Sequence, residues 1–226
     1  MKTIAVIPAY NEAPRIEGSI RGVLPYVDAV VVVDDGSHDG TGEVARRLGV
    51  VVLRHQVNRG QGAGLRTGTE AALLLGADVV IHTDADGQFD PTCVPHVLQP
   101  LRDGHVDVVF GSRFLGEQPQ GIPLARRALL RGARTFNSLL MGIPRRVTDP
   151  QGGMRAFTRD AAPKIRFNQD GFAHCSEILR VVTRSSLRWT EVPVRVIYSE
   201  ETLAKGQRNT DALHIVWKLF LGLFAK

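Results

Sequence analysis

The chain has 226 residues, 43% apolar and 23% charged, a soluble globular composition long enough to bury a sizeable core. Only 6% are aromatic and no nucleic-acid-binding motif occurs, so the net charge of +5 is a weak argument for a nucleic-acid partner. No run approaches the roughly 18 uninterrupted apolar residues of a spanning helix.

That charge is unevenly divided. Residues 1–110 carry 9 basic and 14 acidic side chains, and residues 111–226 carry 19 and 9. An acidic half suits a metal ion and a basic half an anionic partner, with ordinary surface arginine as the alternative. Cys93 and Cys175 lack close or metal-ligand spacing. "MKTIAVIPAYNE" runs into a strand-like segment without a signal-peptide pattern, and both features fit a cytoplasmic setting.

In chain order, "TIAVIP" reads as a strand followed by a helix around 15–23, and "AVVVVD" precedes a helix around 41–48. "VVVLR" leads to a helix around 62–75, "DVVIHTD" to one around 91–102, and "VDVVFGS" closes the series. Short valine-rich strands alternating with helices predict an α/β fold with a mostly parallel sheet covered on both faces. The functional loops of such sheets lie at the carboxyl ends of the strands. The polar clusters "PAYNE", "DDGSHDG", "TDADGQ" and "GSR" fall there. Past Gly116 come the loop "EQPQGIP", an Arg-rich helix from about 124 to 141, the turn-rich "GIPRRVTDPQGG" and a short strand, "MRAF". A helix around 173–184, an alternating strand "LRWTEVPVRVIY" and an apolar-rich helix "DALHIVWKLFLGLF" complete the chain. No linker-like stretch divides it, so residues 1–226 read as one domain with two unlike halves, 1–110 and 111–226.

In "VVIHTDADGQFDP" an apolar run stops at Asp84 and Asp86. Residues two apart in extended backbone point to the same side, so these carboxylates crowd each other. With the carbonyl oxygen of Gln88 they make a hard-oxygen set for Mg2+ or Mn2+ that leaves positions for diphosphate oxygens. Capping the helix near Pro91 is the alternative. Asp34 and Asp35 in "VVVDDGSHDGT" either cap the next helix or accept from a base N–H or ribose hydroxyl. "NRGQGAGLRTG" opens a helix, a place that favours a phosphate, with charge from Arg59 and Arg66; a flexible turn serves equally. Phosphate loops of the GxxxxGK[ST] and strand-linked GxGxxG types are absent, and no HExxH or Ser–His–Asp arrangement can be argued.

"IPAYNE", "VVDDGS", the glycine-dense segment and "DADGQ" occur in that order, each at a strand end. With "GSRF", "DPQGGMRAF" and "EVPVRVIY" they cover most of residues 3–198. As a set they resemble the inverting family 2 glycosyltransferases with the GT-A nucleotide-diphospho-sugar transferase fold, in particular the dolichol-phosphate mannose synthase and polyprenyl-phosphate glycosyltransferase branch. The resemblance implies that Pro8, Tyr10 and Glu12 line the nucleoside pocket, with Asp35 near the base or ribose and Gly60 and Gly62 beside the donor. It implies that Asp84, Asp86 and Gln88 hold Mg2+ or Mn2+ and, through it, the donor diphosphate. Arg113, with Arg126 or Arg127, would meet the acceptor phosphate. Asp149 and Arg155 fall in the part resembling the family's D-x-x-x-G-x-R stretch, beside the acceptor. Asp86, Arg113, Arg127 and Asp149 are the residues expected to carry catalysis. The first half becomes the nucleotide-sugar and metal side and the second the acceptor side.

Arg127, Arg131 and Arg134 share a helix face suited to bidentate phosphate contacts, or to solvation in the case of the last two. A phosphate monoester, with a second pKa of about 6, attacks without a general base; a hydroxyl acceptor needs one, for which Asp149 is the candidate. After "EVPV" relatives often carry an arginine and a "G-x-S-K" loop. Here "YSEETLAKGQRN" offers Lys205 and Arg208 as a candidate lid. In the last helix Leu213, Val216, Trp217, Phe220 and Phe224 recur at helical spacing, for core packing, a homodimer contact or peripheral membrane binding. The activity expected is transfer of a sugar from a nucleoside-diphosphate sugar to a polyprenyl phosphate at the cytoplasmic membrane face. The same fold acting on a soluble acceptor and a catalytically silent nucleotide-sugar-binding module are the alternatives. Nucleotidyl transfer is disfavoured, because no basic GG-rich loop follows the first strand.

Overall fold

Successive residues of the valine-rich segments are buried on opposite faces of one sheet. The computed structural model describes residues 1–115, 143–144, 146–171 and 173–197. Its strands are β1 (Thr3–Ala9), β2 (Ala29–Asp34), β3 (Val51–Arg54), β4 (Val79–His82), β5 (Val108–Ser112), β6 (Arg155–Thr158) and β7 (Trp189–Pro193). The helices are α1 (Ala13–Val23), α2 (Thr41–Arg47), α3 (Gln61–Leu74), α4 (Val94–Arg102) and α5 (His174–Arg184).

Ile4, Val6, Val31, Val33 and Val80 face one layer, with Leu65 and Ala72 of α3 and Ile178, Leu179 and Val182 of α5. Ala5, Ile7, Val30, Val32, Val79 and Ile81 face the other, with Ile16 and Ile20 of α1, Ala45 of α2, and Val97 and Leu98 of α4. Burial on both sides explains why the strands read as unbroken apolar runs. The glycines of α3 have a packing reason: a Cβ on Gly68 would overlap Val6, and one on Gly64 would stand 3.0 Å from Cβ of Pro8.

The strand order is β3-β2-β1-β4-β6-β5-β7. Parallel pairing joins β1 to β2 and β4, β2 to β3, and β5 to β7. Among the described strands β6 alone runs antiparallel, wedged between β4 and β5. The predicted short strand therefore exists, but its place in the middle of the sheet and its reversed direction were not in the pattern. The chain leaves β1 toward β2 and β3, then returns to β4 on the other side, so the sheet's switch point lies between the carboxyl ends of β1 and β4. The PAYNE and TDADGQ loops start at that point.

The edge strand β7 is shorter than the predicted alternation and stops at Pro193, which has no N–H to extend a ladder. The chain then meets Phe89 in a bridge through Val196. The helix expected from Pro91 opens with a 3-10 turn over Pro91–Cys93, capped by the Asp90 side chain accepting from Thr92 N–H. Among the described residues no helix is long and apolar enough to cross a membrane.

Candidate active site

Beyond β4 the chain places Asp84 and Asp86, both half-buried, where the strand has ended. Oδ1 of Asp84 accepts from Nε2 of Gln61 at 2.7 Å. Its Oδ2 lies so close to Gly153 that a Cβ there would overlap it. Oδ1 of Asp86 accepts from the N–H of Gln88 at 2.9 Å. Burial, then the Asp86 charge and Cys175, push the Asp84 carboxyl up to about 7, against the pull of Arg155 and His174. Burial also raises Asp86, opposed by the Gln88 N–H and Arg15. The crowding expected from the one-residue spacing is present, and a divalent cation would relieve it. Among the described residues no three His, Cys, Asp or Glu side chains gather as a metal set. Two carboxylates leave most positions of a six-coordinate hard cation to substrate oxygens and water, so the donor set fits a shared ion.

The carbonyl oxygen of Gln88, the third expected ligand, accepts from Ile197 N–H at 2.7 Å, holding the segment after β7 against the acidic loop. Its second lone pair can still face a cation.

At the end of β5, Arg113 grips Asp149 through Nε (2.7 Å to Oδ2), Nη2 (2.8 Å to Oδ1) and its backbone N–H (3.1 Å to Oδ2). The Asp149 side chain is 1% exposed and that of Arg113 is 18% exposed. Asp149 is thus no open general base; it is the orienting partner of Arg113, and its oxygens are filled. The segment beginning at Asp149 runs back under β4: Gly152 abuts the Gly111 carbonyl and Gly153 abuts Asp84. One five-residue stretch therefore touches both the arginine fork and the Asp84 carboxylate. Arg155, expected beside the acceptor, lies behind this stretch. It is 1% exposed and donates to the carbonyls of Gly152 and Gly153 and to Sγ of Cys175, so it supports this stretch from beneath. Burial pushes the Cys175 thiol up, but His174 and Arg155 outweigh it and bring it down to about 6.

The donor-side expectations are also redistributed. Asp35, 3% exposed, accepts from His55 Nδ1 at 2.6 Å and from the N–H groups of Arg59 and Gly60. Its carboxylate fixes the glycine-dense loop internally. Gly60 (φ +100°) and Gly62 press on the backbone of Gln169 and Asp170, and Gly62 N–H donates to the Asp170 carbonyl at 2.7 Å. The start of α3 seats the 169–170 backbone. Arg66 reinforces this by pairing with Asp170. A Gly62→Ala change should cost about 1–3 kcal/mol, because backbone must yield to the new methyl. Urea unfolding measures it, and an unchanged midpoint would show that the seat is loose. Pro8 is buried in β1 beneath α3, whereas Tyr10 is 42% exposed. Glu12 accepts from Arg15 Nε at 2.6 Å. Asn11 turns at φ +54° and joins the two loops by accepting from His38 N–H.

The chain matches the model for Glycosyl transferase family 2 over residues 4–166. The chain belongs to glycosyl transferase family 2. It is 30% identical to a UDP-N-acetylglucosamine–dolichyl-phosphate N-acetylglucosaminyltransferase of Methanococcus voltae, over 96% of this chain and 94% of that protein. It is also 30% identical to a polyprenol monophosphomannose synthase of Mycolicibacterium smegmatis, over 92% of this chain and 81% of that one. In fold it is similar to glucosyl-3-phosphoglycerate synthase from Mycobacterium tuberculosis, solved with Mn2+, UDP and glucosyl-3-phosphoglycerate. The TM-score is 0.74 at 23% identity, covering 95% of this chain and 75% of that one. The architecture is thus the GT-A fold of sugar transferases.

As a family 2 glycosyl transferase the chain carries its acidic pair and its Arg113–Asp149 fork on the same edge of the sheet. Gln61, Gly153 and Glu191 were not singled out as site residues. Gln61 sits within the glycine-dense segment and Glu191 opens "EVPV", but only the folded chain brings them to the site. Arg126, Arg127, Arg131 and Arg134, the Lys205 and Arg208 lid and the C-terminal apolar stripe lie outside the described residues.

Proposed function

We propose that this family 2 glycosyltransferase moves a sugar, with inversion, from a nucleoside-diphosphate sugar to a polyprenyl phosphate. The observation that carries the reading is the 149–153 stretch, which at one end holds the Arg113 fork and at the other packs on Asp84. That packing supports a cation site for a diphosphate and a guanidinium for a second phosphate held in a set relation to each other. The polyprenyl class comes from the relatives, named for transfer to dolichyl phosphate and for polyprenol monophosphomannose synthesis.

Asp84 and Asp86 would hold Mg2+ or Mn2+, whose chemistry when bound is to neutralise charge on the departing diphosphate. Arg113 orients the acceptor phosphate, and Asp149 keeps that guanidinium in one direction. A phosphate oxygen already ionised near neutrality forms the new bond to the anomeric carbon while the bond to the diphosphate oxygen breaks on the opposite face. No proton has to be removed. The filled carboxylate of Asp149 supports this reading, since a hydroxyl acceptor would need a base there. With a lipid tail on its acceptor, the reaction would take place at a membrane surface.

The test is incubation with undecaprenyl phosphate, Mn2+ and radiolabelled UDP-N-acetylglucosamine or GDP-mannose. Label should pass into the organic phase on extraction. Label appearing only in water-soluble products would eliminate the lipid acceptor, and no transfer from either donor, with nucleotide still bound, would favour the silent module.

A further inference from the structure

We infer that Glu191 is a positioning residue for the acceptor side of the reaction, acting through the Thr148–Asp149 backbone on Arg113. The inference rests on the proposed role of Arg113 toward an acceptor phosphate. Glu191 lies on β7, in parallel register with Phe110 of β5. Its carboxylate reaches over the end of that strand and accepts from Thr148 N–H at 3.0 Å and 2.9 Å, through Oε1 and Oε2, and from Asp149 N–H at 3.1 Å. Asp149 in turn presents both oxygens to Arg113. A second tie secures the same point, where Ser112 Oγ and Thr148 Oγ1 stand 2.5 Å apart.

The arrangement is physically specific. Residues 147–149 form no strand, so their N–H groups have no ladder to join. A charged acceptor that takes two consecutive N–H groups fixes the peptide plane, and with it the direction in which the Asp149 side chain leaves the backbone. The fork on Arg113 is planar and tolerates little rotation, so a turn of that peptide would carry the guanidinium with it. Glu191 touches neither Arg113 nor the metal carboxylates through any of these bonds. The route that these bonds show to the chemistry runs through Asp149.

Glu191→Gln, which keeps the shape and one acceptor oxygen but removes the charge, is the informative change. It should lower kcat/KM for undecaprenyl phosphate about 10-fold, mainly through KM, because displacing a positioned group by a fraction of an ångström is costly. Mn2+-dependent binding of UDP or GDP, whichever the unaltered chain binds, should stay within about twofold, which also reports an intact fold. In an Arg113→Ala background the same change should add less than about twofold, since residues acting as one unit are non-additive. Amide hydrogen exchange at Thr148 and Asp149 should speed up in Glu191→Gln and in a Glu191→Ala variant alike. Additive effects with Arg113→Ala, unchanged acceptor kinetics, or unchanged exchange at those two amides would overturn the inference. If Arg113→Ala itself leaves acceptor kinetics intact, the acceptor reading falls first and the role of Glu191 with it.

Discussion

An Asp84→Asn chain should bind nucleoside diphosphate no better with Mn2+ than without it, and should transfer sugar about 10³-fold more slowly. Asparagine can still accept from Gln61, so the loss isolates the charge. The same substitution should stabilise the metal-free protein above neutral pH. Burial, and next the Asp86 charge, raise the Asp84 carboxyl from its ordinary 3.8 to about 7 in the folded chain. The folded state thus keeps a proton that the unfolded chain releases at lower pH. The stability linked to this group is complete below about pH 4 and is lost as pH rises to about 7, by up to a few kcal/mol. The difference in melting temperature between Asp84→Asn and the unaltered chain should therefore widen from pH 5 to pH 8. Mn2+ should close the gap at pH 8 by stabilising only the chain with both carboxylates. Parallel melting profiles across that range would mean the buried charge is compensated by something other than a cation.

The sheet and most of its helices were legible because their signal is local. Val30 to Val33 alternate between the two helical layers, and every one is 2% exposed or less. No neighbour in sequence could have shown where β6 goes. Four residues reading "RAFT" carry no direction, and their position between β4 and β5 comes from pairing Ala156 with both Ile81 and Val109. The site divides in the same way. Asp84 and Asp86 betray themselves by like charge at a one-residue spacing. Asp35 shows the limit of such reasoning: an acidic residue after a strand fits a base, a cap or an internal tie, and only the folded chain shows the N–H groups of Arg59 and Gly60, together with His55, on its carboxylate. For the glycines of "NRGQGAG" a phosphate seat and a flexible turn serve equally in the sequence, and in the fold Gly60 and Gly62 lie against the backbone of residues 169 and 170. Glycine reports that something comes close without saying what.

Gly153→Ala tests the link between the two halves of the site. Gly153 is not among the positive-φ glycines, so its backbone accepts alanine, and only space decides the outcome. A Cβ there would overlap Oδ2 of Asp84 and stand 3.1 Å from its Cγ. What must yield is the Asp84 side chain, which would swing away and strain its 2.7 Å bond from Gln61. Turnover should fall about 10²-fold, as for other misplacements of around an ångström, and half-maximal activity should need about tenfold more Mn2+. Gly152→Ala is the matched control. Its Cβ would meet the Gly111 carbonyl at 2.5 Å, a backbone atom of β5 with little freedom to move. That change should destabilise the fold by about 1–3 kcal/mol and leave the Mn2+ requirement unaltered. Adjacent glycines in one motif thus predict different lesions, one electrostatic and one steric. Equal Mn2+ requirements in the two variants would show that the 149–153 stretch does not set the position of Asp84.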